Sequence, residues 1–172
     1  MTDNKMKEIL VEKVTVNIGV GQAGEALEQA KGLISRLAAG RTPIETQAKR
    51  REPVFKLRKG LPIGVKVTLR GLPATSFVEK ALTAKRKVLK SSNFDKQGNF
   101  AFGVHEYIDF PGVKYDPTIP MLGFDVCVSL KRKGGRRVSL RRFKQTKIGK
   151  KHRITKDEAI DFAKNKFGAQ IE

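Results

Sequence analysis

Cysteine is nearly absent. Cys127 stands alone, so no internal disulfide can form, and with only two histidines beside it no Cys/His metal quartet is available. By itself Cys127 reads as a small core residue. Long apolar runs are missing too. The longest are strand-length, such as Val14-Thr15-Val16-Asn17-Ile18, far short of the roughly 18 apolar residues of a membrane span. The N-terminus opens Met1-Thr2-Asp3-Asn4-Lys5 with no apolar stretch or cleavage site, so no signal peptide is legible and a cytoplasmic location is expected. Internal repeats and low-complexity tracts are also lacking. No Ser, Cys or Asp motif pairs a nucleophile with a base, and His105 and His152 lie far apart in the chain. His105, beside Glu106 and Tyr107, reads as a structural or surface residue. His152, among Lys150, Lys151 and Arg153, reads as a phosphate contact or a bystander.

Acidic residues are scarce relative to basic ones. The 172 residues hold 36 Lys+Arg against 17 Asp+Glu, a formal net charge of +19, and the sequence pI is near 10.3. Self-repulsion on that scale opposes compaction unless a polyanion neutralises it, so the expected partner is nucleic acid or an anionic surface. The 39% hydrophobic content suffices for one modest core. One domain over residues 1–172 is expected, with a basic extension at 131–153 and a C-terminal helix at about 155–167.

Residues 11–20 alternate, with Val14, Val16 and Ile18 on one side and Lys13, Thr15 and Asn17 on the other, which predicts a half-buried strand. Leu27, Ala30, Leu33, Ile34 and Leu37 then share one helical face before Gly40. A second strand is expected over 43–49, and a third over 63–70 with Val65, Val67 and Leu69 inward and Lys66, Thr68 and Arg70 outward. Ser76 and Glu79 have capping-box spacing ahead of a second helix ending among Lys85, Arg86, Lys87 and Lys90. A short strand is expected near 100–108. Runs 124–130 and 136–143 flank Lys133-Gly134-Gly135, a hairpin signal. Thr155 and Glu158 open a third helix through Ala159, Ile160, Ala163 and Phe167. The order predicts an α+β fold, a mostly antiparallel sheet with helices on one face, plus the basic hairpin and the C-terminal helix.

Gly19-Val20-Gly21-Gln22-Ala23-Gly24 spells a dinucleotide fingerprint after a strand, with Glu45 at the spacing of a ribose contact. A charged loop and a basic hairpin follow where further parallel βα units are required, so a tight turn into a helix is the preferred reading. The basic segments say more. Residues 131–153 hold 12 Lys or Arg in 23 positions and no Asp or Glu. Such a block repels itself unless phosphates neutralise it, which makes Lys131, Arg132, Lys133, Arg136, Arg137, Arg141, Arg142, Lys150, Lys151 and Arg153 candidate phosphate contacts. The loop 49–59 adds six basic residues around Pro53, Val54, Phe55 and Leu57, where Phe55 either packs on RNA or plugs the core. The outward positions Lys13, Thr15, Asn17, Lys66, Thr68 and Arg70 combine the cations, hydroxyls and amide that phosphate and 2′-hydroxyl groups take.

Four strings in order, Val11-Glu12-Lys13-Val14-Thr15-Val16-Asn17-Ile18-Gly19-Val20-Gly21, residues 61–71, residues 98–106 and Phe110-Pro111-Gly112-Val113-Lys114-Tyr115-Asp116-Pro117, resemble the large-subunit ribosomal protein five family. The basic segment and the ending His152-Arg153-Ile154-Thr155-Lys156-Asp157-Glu158-Ala159 are similar to archaeal and eukaryotic members. The resemblance implies a non-catalytic protein of the central protuberance that binds 5S rRNA and helps attach it to the large subunit, beside large-subunit rRNA. It places the 5S rRNA contact on Asn17, Lys66, Thr68 and Arg70, with Lys13 and Thr15. It directs the loop 53–60, with Phe55, Lys56 and Arg58, toward the elbow of peptidyl-site tRNA. It assigns the region after Gly103 to an intersubunit bridge with a small-subunit head protein. Glu52-Pro53-Val54 departs from the small-residue pattern of bacterial members. No cofactor, metal, membrane or small-molecule substrate is implied.

Overall fold

A computed structural model of the chain describes residues 4–172, apart from the side chain of Arg136. Strand β1 (Ile9–Gly19) runs through the centre of the sheet. It is followed by helix α1 (Glu25–Leu37), β2 (Ile44–Gln47), β3 (Pro62–Leu69), α2 (Leu72–Ala84), β4 (Val88–Leu89), β5 (Phe100–Val104), β6 (Phe124–Arg132), the short α3 (Gly135–Leu140), α4 (Lys156–Phe167) and β7 (Gln170–Ile171). The main sheet has the order β2-β3-β1-β6-β5, antiparallel throughout.

Alternation decides which face is covered. Val14, Val16 and Ile18 of β1, Val65, Val67 and Leu69 of β3, and Phe124, Val126 and Val128 of β6 are all buried. Against that face α1 lays Leu27, Ala30, Leu33, Ile34 and Leu37, and α2 lays Phe77, Val78, Ala81 and Leu82. Neither α1 nor α2 packs on the opposite face, which the short α3 borders at its Lys13 and Ser129 end. Phe100 sits in a ring cluster with Phe94, centroids 5.2 Å apart, and Phe77 meets Phe110 at 5.1 Å.

The C-terminal helix forms as its sequence predicts. Thr155 and Glu158 complete the reciprocal capping box, and Gly168 leaves the helix in the left-handed conformation, φ 64°. The chain end then pairs β7 in parallel with β4. Neither two-residue strand is long enough to show a period, so tertiary contact alone defines them.

Three local expectations are corrected. Helix α2 starts at Leu72, with Gly71 as its cap and Pro73 in the first turn, because proline preset for helix entry outranks a Ser76/Glu79 box one turn later. That helix stops at Ala84, so Lys85 is its C-cap and Arg86 and Lys87, with φ 55° and 59°, form a left-handed exit. The hairpin after β6 is also absent. Gly134, at φ 81°, instead caps α3. A returning strand would have to pair along 124–130, and over Asp125–Val128 both edges of β6 are already taken, by β1 and by β5.

Two loops carry measurable constraints. In the turn after Phe94, the Asp95 carboxylate accepts from the amides of Gln97 and Asn99, each at 2.8 Å. Gly98 completes that turn at φ 78°, where an added Cβ would lie 2.5 Å from Ile154 Cγ2. Gly98→Ala is therefore expected to lower stability by about 1–3 kcal/mol in urea denaturation, from backbone strain and overpacking together.

The loop after Tyr107 is pinned through Asp116. Thr118 Oγ1 donates to the Asp116 carboxylate at 2.6 Å and Arg36 of α1 donates at 2.7 Å. The Thr118 hydrogen bond first, then Arg36, lowers the Asp116 carboxyl to about 2. A depressed folded value means the stabilisation is present above the unfolded carboxylate range, near pH ~4, and fades as pH falls toward 2. Asp116→Asn should melt below the native protein at pH 6, and the two melting temperatures should converge by pH 2.

Candidate nucleic-acid interface

The uncovered sheet face is built by register. Thr15 of β1 lies opposite Thr68 of β3, and Asn17 opposite Lys66. The outward residues therefore form rows across the sheet instead of scattered points. Lys66, Thr68 and Arg70 are exposed, and Lys13, Thr15 and Asn17 are half-buried between neighbouring strands. Arg70 leans toward Glu12, 4.0 Å away, an exposed pairing that leaves its charge largely available. On the far side of β3, exposed Ile44 pairs with Lys66 and adds an apolar element.

The rows continue onto β6, which sequence reading missed. Asn17 faces Asp125, Thr15 faces Cys127 and Lys13 faces Ser129. Cys127 is exposed, so its expected place in the core is corrected. The signal was present: Phe124, Val126, Val128 and Leu130 are buried, and Cys127 has the opposite parity. Partial desolvation, reinforced by Asp125, pushes the Cys127 thiol above its ordinary value. Asp125 adds a carboxylate to this face.

The loop 48–61 is a closed hairpin tip. Glu52 and Leu57 exchange both backbone hydrogen bonds, at 3.0 and 2.9 Å, and Lys56 takes a left-handed φ of 55°. Phe55 is 72% exposed, which removes the core-plug reading. Lys56 and Arg58 flank it, exposed to solvent.

The basic segment is less free than its charge suggests. Arg132 is buried and bonded by Nη2 to both oxygens of Glu158, at 2.6 and 2.7 Å, so its guanidinium belongs to the fold and not to phosphate. Lys133 is paired with Glu8. Arg141 Nε donates to the Lys144 carbonyl at 2.6 Å, and Arg142 lies over the Phe143 ring, 5.5 Å from its centroid. Lys131 is half-buried, and Arg137, Arg141, Arg142, Lys150, Lys151 and Arg153 are exposed. The side chain of Arg136 lies outside what the structure describes. His152 holds a ring nitrogen 3.3 Å from the Lys133 carbonyl.

The dinucleotide fingerprint is excluded by topology. β1 and β2 are separated by β3, and each pairs with it antiparallel, whereas the fingerprint needs parallel neighbours. The amides of Val20 and Gly21 are spent on the Ile63 carbonyl at 3.0 and 2.8 Å. Glu45 is bound by Lys31 of α1 at 2.5 Å. Among the described residues no group of three or more His, Cys, Asp or Glu could hold a metal ion.

Comparison with known proteins gives a consistent result along the chain. A family model described as "Ribosomal protein L5" matches residues 4–58, and a second model, for the C-terminus of the same ribosomal family, matches residues 62–162. The first segment supplies β1 and β2 and the second β3, β5 and β6 to one interleaved sheet. Among relatives named "Large ribosomal subunit protein uL5", that of Methanococcus vannielii is 50% identical over 169 residues, 96% of this chain and 92% of its own length. That of Pyrobaculum aerophilum is 48% identical over 167 residues, covering 97% and 92%. That of Methanoregula boonei is 42% identical over 166 residues, covering 96% and 99%.

Proposed function

The chain belongs to the ribosomal protein L5 family, and on that premise we propose that its open sheet face binds 5S rRNA and helps hold it in the central protuberance. The family is one of ribosomal structural proteins, not enzymes. The chain is accordingly a structural constituent of the large ribosomal subunit, with rRNA as its partner.

The observation that carries the finer reading is the register of β1 on β3. It sets Thr15 beside Thr68 and Asn17 beside Lys66 on a face that α1 and α2 leave open. Hydroxyls and an amide there suit 2′-hydroxyl groups, and Lys13, Lys66 and Arg70 suit phosphates. The exposed cations of 131–153 then contact neighbouring large-subunit rRNA. The hairpin tip carrying Phe55, Lys56 and Arg58 reaches peptidyl-site tRNA, with exposed Phe55 available for apolar packing. The loop region after Gly103 meets the small-subunit head protein.

The test is a gel shift of the purified protein on 5S rRNA with excess tRNA as competitor. Competitor-resistant binding is expected. If about six phosphates are neutralised, doubling the salt should weaken binding roughly twentyfold. Binding that tRNA removes equally well would reduce the protein to a general RNA chaperone and overturn the 5S assignment.

A further inference from the structure

A cleft of about 480 Å³ opens where the polar sheet face meets the basic segment. Its floor is apolar: Leu130 and Ile154 are buried core residues, and Ile148 is half-buried. Its walls carry cations from both sides, Lys13 and Lys131 from the sheet and Lys147 and Arg153 from the segment. Glu12 is the one carboxylate among the described lining residues, and it lies toward Arg70. The segment's wall is tied to the sheet's wall by His152 against the Lys133 carbonyl, and Arg153 Nε donates to the Ile148 carbonyl at 3.3 Å.

A lone phosphate has no use for an apolar floor, and an apolar ligand has no use for four cations. A nucleotide uses both, its base on the floor and its phosphates on the walls. The volume falls within the roughly 300–1,000 Å³ of ordinary small-ligand clefts. An acidic peptide would satisfy the cations but bring no flat apolar face to cover Ile148 and Ile154. We propose that this cleft receives one unstacked nucleotide of the bound RNA, its base against Leu130, Ile148 and Ile154 and its phosphates between Lys131, Lys147 and Arg153. The inference rests on the RNA-binding reading and adds to it a place where unpaired RNA is recognised beside the sheet face.

Ser129 lines the cleft from the sheet side and is half-buried on the open face, so Ser129→Trp fills the opening without removing a cation. Ultraviolet cross-linking of 5S rRNA to the native protein, read by mass spectrometry, is expected to give a nucleotide adduct within residues 129–131 or 147–154. Ser129→Trp, with an unchanged circular dichroism spectrum and melting temperature, should lose that adduct and bind 5S rRNA about tenfold more weakly, the worth of roughly 50 Å² of lost apolar contact. Lys147→Ala, which leaves the cleft open, should keep the adduct at reduced yield. If native protein binds 5S rRNA in preference to tRNA but gives no adduct there, or Ser129→Trp binds as tightly as native, the cleft proposal alone falls. If native protein does not discriminate 5S rRNA from tRNA, both readings fall. An oligoaspartate peptide that abolishes the adduct at stoichiometric concentration would reassign the cleft to an acidic protein partner and overturn the proposal.

Discussion

The double substitution Lys66→Glu with Thr68→Ala is expected to weaken 5S rRNA binding about a hundredfold, from the loss of one charge-assisted contact of roughly 1.5–3 kcal/mol and one neutral hydrogen bond of about 1 kcal/mol. Both side chains are exposed on the open face, so the melting temperature should stay nearly constant. The decisive comparison is Lys80→Glu, the same charge change on an exposed position of α2. That helix packs on the opposite side of the sheet. A polycation that merely condenses on RNA responds to both substitutions alike. A protein that presents one face responds strongly to the first and only a few-fold to the second. Asn17→Ala, whose position faces Lys66 across the β1–β3 pair, should behave as the first does, at smaller size.

Glu158→Ala should be the most damaging single change to stability at the junction of sheet and C-terminal helix. Arg132 is 9% exposed and donates both of its Nη2 hydrogen bonds to this carboxylate, while its Nε is buried without a partner among the described residues. The same carboxylate accepts from the Thr155 amide at 3.1 Å to complete the capping box. Breaking a fully buried pair costs about 3–5 kcal/mol. The Glu158 side chain is 42% exposed, which reduces the pair's share, and the lost cap adds about 1 kcal/mol. A net loss of roughly 2–4 kcal/mol is expected, read as a fall of some 5–15 °C in melting temperature for a chain of this size. The bond to Arg132 also holds the Glu158 carboxyl below its ordinary range. Its contribution is therefore present above the unfolded value, near pH ~4.3, and fades on acidification below it. The double variant Arg132→Met with Glu158→Gln should recover most of the loss, since no unpaired buried charge remains. Gln at 158 still serves the capping box, so a double variant as unstable as Glu158→Ala would show that neither the unpaired arginine nor the cap sets the cost.

The elements legible in the sequence are those whose side chains alternate against one large burial surface. β1, β3 and α1 fall into that class, since Val14, Val16, Val67, Leu33 and Ile34 all meet in one core. α4 was legible for a different reason, because Thr155 and Glu158 satisfy each other locally. The misreadings share a cause. Residues 136–143 look like a strand in isolation, but a strand exists only with a free partner edge, and β6 has both edges taken over Asp125–Val128. Arg132 resembles its cationic neighbours until a carboxylate 26 positions away is folded against it. Cys127 shows the reverse case. Its residue type suggests the core, and its parity on β6 places it on the open face. The part of the candidate face on β1 and β3, Lys13, Thr15, Asn17, Lys66, Thr68 and Arg70, followed from alternation alone. The part on β6, and the cleft beside it, needed the strand order.

That misplaced cysteine supplies the most direct measurement. Cys127 is the one cysteine of the chain, lies opposite Thr15 on the proposed contact face, and needs no mutation to serve as a reporter. Alkylation by N-ethylmaleimide above neutral pH, where its raised thiol reacts at a usable rate, should be slowed more than tenfold when 5S rRNA is bound and hardly at all by an equal mass of tRNA. An alkylation rate unchanged in a demonstrated 5S rRNA complex would put the RNA elsewhere on the molecule and contradict the sheet-face assignment.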